Sequence, residues 1–293
     1  MSNTDQTRAL IMSNTDQTRF KRPLSPDATR RNHIKCLDPD RSAIVQAYRM
    51  SSAEFDIIKD SMARRRLDSD ISLRLLPETG WLAPFEVVTY APWWLHLVTW
   101  VPLCLWVYIW KLPHTLGVAL LITFGMLGMW PLLEYLLHRF IFHSSVAWAS
   151  VLPRPLQGCV NVTRLLLHSV HHAHPTDRKR IITPLPMSLA IAGLVLPPYI
   201  LLFHDPKVAY SICVGIVLGF VKYDYVHYDH HLGVNLDQWP RWIPSRIKEH
   251  FRVLRRAHKN HHYAVNGHES SFGVSESFCD DAFGTTSKLV AVE

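Results

Sequence analysis

LLLHSVHHAHP, residues 165–175, carries His168, His171 and His172 in the order H-x2-H-H. Residues three and four apart lie on the same face of a helix, so this spacing directs three imidazoles the same way. Neutral imidazole is the commonest protein ligand for a transition metal. The stretch therefore predicts part of a metal site, and further ligands are expected elsewhere in the chain.

Three more histidine clusters supply such ligands. Fifteen of the 18 histidines lie between His138 and His268. One mononuclear site needs three or four protein ligands, whereas the clusters offer ten, so we expect two metal ions. The alternative, a His-rich tract or a set of solvated histidines, fits poorly because the clusters span 125 residues and are separated by apolar runs. They are EYLLHRFIFH with His138 and His143, YDYVHYDHH with His227 and His231, and RRAHKNHH with His258, His261 and His262.

Several residues near the clusters have roles that the spacing leaves open. Four histidines break the pattern and fit ligand, supporting or surface positions equally: His174, His230, His250 and His268. Four carboxylates either orient imidazoles by accepting hydrogen bonds or pair with Arg139, Arg180 or Lys222: Glu134, Asp177, Asp224 and Asp229. The five cysteines are scattered without C-x-x-C, which argues against a disulfide framework and a thiolate zinc site.

Long apolar runs predict membrane spans. About 20 apolar residues cross a bilayer, which suits the first, second and fourth of these runs, while the third is short and compatible with a re-entrant segment. Soluble core helices are the alternative, but several of the ten tryptophans lie at the ends of the runs, as in membrane-interface belts. We therefore predict an all-α integral membrane protein with four transmembrane helices and a helical cap that holds the histidines. The runs are Trp93–Trp110, Leu116–Leu137, Met187–Phe203 and Val208–Val226.

The distribution of charge predicts the topology. If all four runs cross, the stretches after the second and the fourth lie on the same side, and these stretches carry the clusters. Both are rich in Lys and Arg, so the positive-inside rule places the clusters and both termini in the cytosol. The net charge of +7 comes largely from residues that flank apolar runs, which favours anionic lipid headgroups over nucleic acid.

The first 80 residues are polar and are predicted to be largely disordered. The octapeptide MSNTDQTR occurs at Met1–Arg8 and again at Met12–Arg19, and we exclude this repeat from reasoning about the fold. Within the region, Ser51–Leu75 has the pattern of a basic amphipathic helix at the membrane interface. Ser245–His262 has a similar pattern, with an ordinary surface helix of the cap as the alternative.

The ligand set also restricts the chemistry. Metal-assisted hydrolysis needs one open zinc and a carboxylate base. Ten imidazoles at a membrane surface instead favour two redox metals, such as iron, that bind O2 and oxygenate an unactivated C–H bond. The alkyl chain of the substrate would then lie between the spanning helices, with its polar head near the metals.

The clusters resemble those of the fatty acid hydroxylase superfamily, over roughly residues 81–285. The matching stretches are EYLLHRFIFH, LLLHSVHHAHPTDRKRIITP, LGFVKYDYVHYDHH and RRAHKNHHYAVNGHESSFGVS. The H-x4-H spacing of His138 and His143, and the HP-x-D of His174–Asp177, favour the fatty acid 2-hydroxylase branch. Residues 81–293 are accordingly expected to form a membrane-embedded hydroxylase domain.

The resemblance implies an endoplasmic reticulum enzyme with a dinuclear iron centre. Such an enzyme adds a hydroxyl group to C2 of a long or very-long acyl chain that is destined for, or already part of, ceramide. The implied ligands are His138, His143, His168, His171, His172, His227, His231, His258, His261 and His262. Residues that match the family pattern and are expected to support the site are Tyr223, Asp224, Tyr228, Asn260, Phe272 and Gly273.

The electron supply and one rival function follow from the same resemblance, and a second rival comes from another class of protein. Some members carry a fused cytochrome b5 domain, and this chain shows none, so electrons are expected from NADH through a separate cytochrome b5 and its reductase. Zinc can replace iron in a purified sample because all-nitrogen sites do not exclude it. Rivals are an oxidase of sterols, sphingoid bases or carotenoids, and a metal transporter, whose site would be expected nearer the bilayer midplane.

Overall fold

The computed structural model describes residues 37–38, 41–64, 72–111, 116–143, 147–264 and 267–287, all within one compact unit. The repeated octapeptide lies outside them, as does the predicted disorder up to residue 36. The described residues form helices and contain no strand. The α-helices are α1 (Ala43–Arg49), α2 (Ser52–Arg64), α3 (Leu95–Lys111), α4 (Leu116–Leu136), α5 (Arg154–Arg164), α6 (Val170–Ala173), α7 (Leu185–Leu202), α8 (Pro206–Leu232), α9 (Ser245–Tyr263) and α10 (Phe278–Phe283).

Helix α8 is the centre of the apolar bundle. It packs against α3, α4 and α7, and 56% of its apolar window is buried, against 6% for α7. Its closest neighbour is α4, because Gly215 and Gly219 leave room for the other helix: a Cβ on Gly219 would lie 2.7 Å from the Trp130 ring. The two helices that end at the histidine clusters are therefore held backbone to backbone.

All four predicted spans are helical, and three of them are long enough to cross a bilayer. The helical segments Leu116–His143, Leu185–Leu202 and Pro206–Leu232 are long and apolar enough to cross a bilayer, so the third run, which the sequence left between spanning and re-entrant, forms a continuous helix. Helix α3 has only 17 residues, which corresponds to about 26 Å against a hydrocarbon core of about 30 Å. These helices make the protein a membrane protein.

The predicted disorder does not extend to Ala43–Arg49, which form α1, and α2 lies within the predicted helix Ser51–Leu75. Helices α1 and α2 fold against α5, and the apolar face of α2 is buried there: Phe55 is 0% and Met62 is 2% exposed. The reason is that α5 and the turn after it offer an apolar surface that buries this face. This face is therefore not free to lie on a membrane, contrary to the predicted interfacial helix, and the predicted part beyond Arg64 is irregular from residue 72 to residue 76.

Helix α9 lies beside the histidine-bearing end of α8. It runs from Ser245 to Tyr263, close to the predicted bounds, and contacts α8. Its inner face buries Leu254 and His258, whereas Ile247, predicted to lie on the same stripe, is 45% exposed. The buried end of this helix is therefore the part that carries histidines.

Candidate metal centre

Local helix geometry accounts for the unusual spacing of the first cluster. His138 and His143 are five residues apart, and on an ideal α-helix such residues point about 140° apart. The chain adopts a π-helix over Leu137–His143, directly after α4. This wider helix, a form often found at functional sites, brings the two imidazoles together, with ring centroids 4.9 Å apart.

The ten predicted ligand histidines assemble into two groups of five. Within each group one nitrogen from every residue lies within 4.8 Å of the others. Each H-x2-H-H motif contributes to both groups, because its first and last histidines, four apart, enter one group and its middle histidine enters the other. The three imidazoles of one motif are thus divided between the two groups. The spacing alone had indicated that all three point the same way. Group one is His138, His143, His168, His172 and His261; group two is His171, His227, His231, His258 and His262.

The nitrogens of group one face one another at distances that suit a shared cation. His143 Nε2 lies 2.6 Å from His168 Nε2, 2.9 Å from His261 Nε2 and 3.2 Å from His138 Nε2. Two imidazole nitrogens at right angles on one first-row metal, each about 2.1 Å from it, would be about 3 Å apart. His172 Nε2 is buried without a hydrogen-bond partner. The donor set therefore fits a metal ion.

Group two has the same character. His231 Nε2 lies 2.8 Å from His258 Nε2, and His262 Nε2 lies 3.0 Å from His171 Nε2 and 3.1 Å from His258 Nε2. Both ring nitrogens of His227 are buried without a hydrogen-bond partner. Unpaired buried nitrogens are costly, and coordination of a second ion would satisfy one of the two in this ring.

Backbone carbonyls, rather than carboxylates, orient the imidazoles in group one. His138 Nδ1 donates to the carbonyl oxygen of Phe272 at 2.5 Å, and His261 Nδ1 donates to that of Ser270 at 2.7 Å. A carbonyl oxygen only accepts, so the proton is on Nδ1 and the lone pair of Nε2 points into the group. Phe272, expected from the resemblance to support the site, does so through its main chain.

The carboxylate of Glu134 acts on the loop that bears these carbonyls. Glu134 accepts hydrogen bonds from the backbone N–H groups of Val274 (2.5 Å) and Ser275 (2.8 Å), and Asp280 accepts from those of Phe272 (2.9 Å) and Gly273 (2.6 Å). The direct contact with an imidazole predicted for Glu134 is thus replaced by an indirect one. Its side chain fixes the loop, and the loop fixes His138.

The other predicted carboxylates bind elsewhere. Asp224 pairs with Nδ1 of the fully buried His96 at 2.7 Å. The only sign of this partner in the sequence was a lone histidine within an apolar run. Asp177 accepts from the backbone N–H groups of Leu73 at 2.9 Å and Lys179 at 3.1 Å. Of the four carboxylates, Asp229 forms a salt bridge, with Arg255 as its partner. The expected partners Arg180 and Lys222 pair instead with Glu86 and Glu276.

The remaining candidates lie around the groups. The Tyr223 ring stacks on His227 at 5.6 Å between centroids, which agrees with a supporting role. His230 Nε2 donates to the Val274 carbonyl at 2.9 Å, and His250 pairs with Glu276, so both are outside the groups. Four others also lie outside the two groups: His174 and Asn260, which are buried, Tyr228, which is half-buried, and His268, which stacks on His143.

Burial keeps six of the clustered histidines neutral. Removal from water, reinforced by the neighbouring imidazoles, lowers the pKa of each well below its usual value. A neutral imidazole retains the lone pair that a metal needs, so the cap presents its ligands in the binding form. The residues are His168, His171, His172, His258, His261 and His262.

Comparison with known proteins identifies the family. Residues 122–285, which include all ten histidines of the two groups, match the sequence model of the fatty acid hydroxylase family. The dihydroceramide fatty acyl 2-hydroxylase FAH2 of Arabidopsis thaliana is 32% identical over 69% of this chain and 76% of that protein. The ceramide very long chain fatty acid hydroxylase SCS7 of Saccharomyces cerevisiae is 30% identical over 86% of this chain and 59% of that protein.

A solved structure has the same fold. Full-length Scs7p, of which only the hydroxylase domain is visible, superimposes with a TM-score of 0.67 and 25% identity, covering 93% of this chain and 92% of that chain. The family match covers more than half of the chain and contains its two groups of buried imidazoles. The chain therefore belongs to the fatty acid hydroxylase family and is an oxidoreductase.

Proposed function

We propose that this protein is a dimetal monooxygenase that hydroxylates C2 of long or very-long fatty acyl chains of ceramide-type lipids. The observation that carries the proposal is the pair of five-histidine groups, buried side by side at the ends of apolar helices. The names of the relatives from Arabidopsis thaliana and Saccharomyces cerevisiae support the choice of an acyl chain attached to a sphingoid base.

The residues of the chain prepare the site for this reaction. Two redox-active irons, when bound, would supply the reduction of O2 that puts one oxygen atom into a C–H bond and releases the other as water. The ten imidazoles would hold them, and the Phe272 and Ser270 carbonyls fix two of these rings. Burial of nearly every ligand excludes bulk water, which protects a reactive site from side reactions.

The bundle suits a lipid substrate. An acyl chain would lie against the apolar helices, with its C2 atom next to the histidine groups and its polar head towards the cap. In the transporter alternative, sites near the bilayer midplane on broken helices are expected, whereas His143 and His231 lie at the ends of long helices.

We further propose that α3, α4, α7 and α8 all cross the membrane of the endoplasmic reticulum, with the cap, the metal site and both termini in the cytosol. His96, near the start of α3, pairs with Asp224 near the end of α8, which supports an antiparallel arrangement of these helices. The shortness of α3 is compatible with crossing if its flanking tryptophans lie in the interface. Electrons would come from NADH through a separate cytochrome b5 and its reductase.

The test is lipid mass spectrometry of cells that express the chain. Cells with the intact protein should accumulate ceramides with a 2-hydroxy acyl chain, and cells with His258→Ala should not. His204→Ala, which changes an exposed histidine between α7 and α8, is the matched control and should leave the product unchanged.

Two other outcomes of this experiment would assign the chain a different function. Oxygenated sterols, sphingoid bases or carotenoids in place of 2-hydroxy acyl chains would assign the chain to another activity of the superfamily. A change in metal uptake without any oxygenated lipid would overturn the enzyme proposal in favour of transport. Zinc in the purified protein would not decide the question, because nitrogen sites bind zinc readily.

A further inference from the structure

A buried lysine of the N-terminal helix α2 holds a segment that carries metal ligands. Lys59 Nζ donates to the backbone carbonyl of His143 at 2.5 Å, and the Lys59 side chain is only 10% exposed. The last carbonyls of a helix have no partner within the helix, and a basic side chain can satisfy them. Lys59 does so at the end of the π-helix that bears His138 and His143.

The same helix also holds the second segment of group one. Asp56 lies 4.0 Å from Lys59 Nζ and 2.7 Å from Nη1 of Arg164, whose side chain is fully buried. Arg164 directly precedes a second π-helix, Leu165–Ser169, which carries His168. Lys59 and Asp56 therefore connect two π-helical segments, and those segments supply three of the five group-one histidines.

Helix α2 also covers group one on the outside. A cavity of about 10 Å³ lies between them, lined on one side by Lys59, Asp60 and Ala63 and on the other by ligands that include His143 and His168. A space of this size holds about one water molecule. Displacement of α2 would therefore expose these imidazoles to solvent.

Group two has an ion-pair clamp of its own. Arg255 Nη2 lies 2.7 Å from Asp229 Oδ2, and its Nη1 donates to the Val234 carbonyl at 3.1 Å. This pair joins the end of α8, which carries His227 and His231, to α9. Helix α9 supplies two more group-two histidines, and its one group-one histidine, His261, is oriented separately by the Ser270 carbonyl. The two clamps share no residue.

We propose that Lys59 with Asp56 is the positioning pair for group one, that Arg255 with Asp229 is the positioning pair for group two, and that each metal site can therefore be disrupted separately. The inference rests on the proposed dimetal centre. It gives the N-terminal helices a direct part in building half of that centre.

The experiment counts metal ions on the purified full chain in detergent, after loading with Fe(II) or Zn(II) and a challenge with a chelator. The intact chain should retain about two ions, and Lys59→Met and Arg255→Met should each retain about one. Lys59→Arg, which keeps a donor, should restore the second ion. Ile57→Ala changes an exposed residue of α2 and is the matched control, with about two ions expected.

Double variants identify which ion is lost. Lys59→Met combined with His143→Ala should still retain about one ion, because both changes affect group one, whereas Lys59→Met with His231→Ala should retain none. In Lys59→Met, the ion of group one should pass to the chelator at least about 10-fold faster than it does in the intact chain.

Three results separate the possibilities. An intact chain that retains no ions would overturn the proposed dimetal function itself. The positioning role would be overturned if Lys59→Met retained two ions at the normal release rate, or if it lost both ions equally. Either result would leave the proposed dimetal function standing. If Lys59→Met does not fold, Asp56→Asn is counted in its place, with the same expected loss of one ion.

Discussion

The imidazole of His230 donates from Nε2 to the backbone carbonyl of Val274, 2.9 Å away, although His230 stands next to His231 in the histidine-rich run. Adjacent residues on a helix point about 100° apart. His231 therefore faces group two while His230 faces the loop that orients group one. Within one run, the two neighbours have different tasks.

This difference predicts opposite results for two neighbouring substitutions. His230→Gln keeps a side-chain N–H that can donate to Val274, so we expect unchanged metal content and 2-hydroxylation within about twofold of the intact chain. His231→Gln removes a nitrogen of group two and should reduce metal affinity by about 100-fold or more. Metal analysis and product assay of the two variants measure both effects, and equal losses would show that His230 is also a ligand.

Glu134 should matter through the loop that it holds. Glu134→Leu removes the side-chain oxygen that accepts hydrogen bonds from the backbone N–H groups of Val274 and Ser275, and each buried donor left without a partner costs about 1–3 kcal/mol. We expect a lower free energy of unfolding and a 10–100-fold weaker metal affinity, about the usual effect of residues that orient ligands. Ser275→Ala, which removes only the hydroxyl contact, should have a smaller effect. Unfolding and metal titrations in detergent provide the measurement.

The buried cap histidines predict a stability that falls in acid. Their pKa values in the folded state are lowered below the unfolded value of about 6.5, so the unfolded chain binds more protons in this range. Stability is therefore fully present above about pH 6.5 and decreases as the pH falls towards the folded values, by about 1.4 kcal/mol per pH unit for each imidazole. Unfolding of the metal-free protein between about pH 8 and pH 5 tests this, and a flat profile would contradict it.

The close contact between α4 and α8 predicts a position that does not tolerate a methyl group. Gly219→Ala would place a Cβ 2.7 Å from the Trp130 ring, and such overpacking typically costs about 1–3 kcal/mol. Because these two helices carry ligands of both groups, metal affinity should fall together with stability. Gly193→Ala in α7, where no atom lies within 4 Å of the new Cβ, should have neither effect. Thermal unfolding and metal content of both variants provide the comparison.

The sequence predicted what depends on local periodicity. The apolar runs predicted the helices of the bundle, and the histidine spacing selected the ten residues that meet in the structure. The N-terminal region was mispredicted for a physical reason. The pattern around Phe55 predicted the helix α2 but placed its apolar face at the membrane interface, whereas the structure buries that face against a surface that lies about 100 residues further along the chain.

The sequence by itself determined a helical membrane protein with clustered imidazoles at helix ends, because chain length, hydropathy and helical period are local properties. Only the tertiary structure decided how the imidazoles divide into the two groups and which backbone carbonyls orient them. His138 depends on the carbonyl of Phe272, 134 residues away, and His171 meets His262, 91 residues away. Such contacts are set by the packing of α4, α8 and the cap, and no spacing along the chain encodes them.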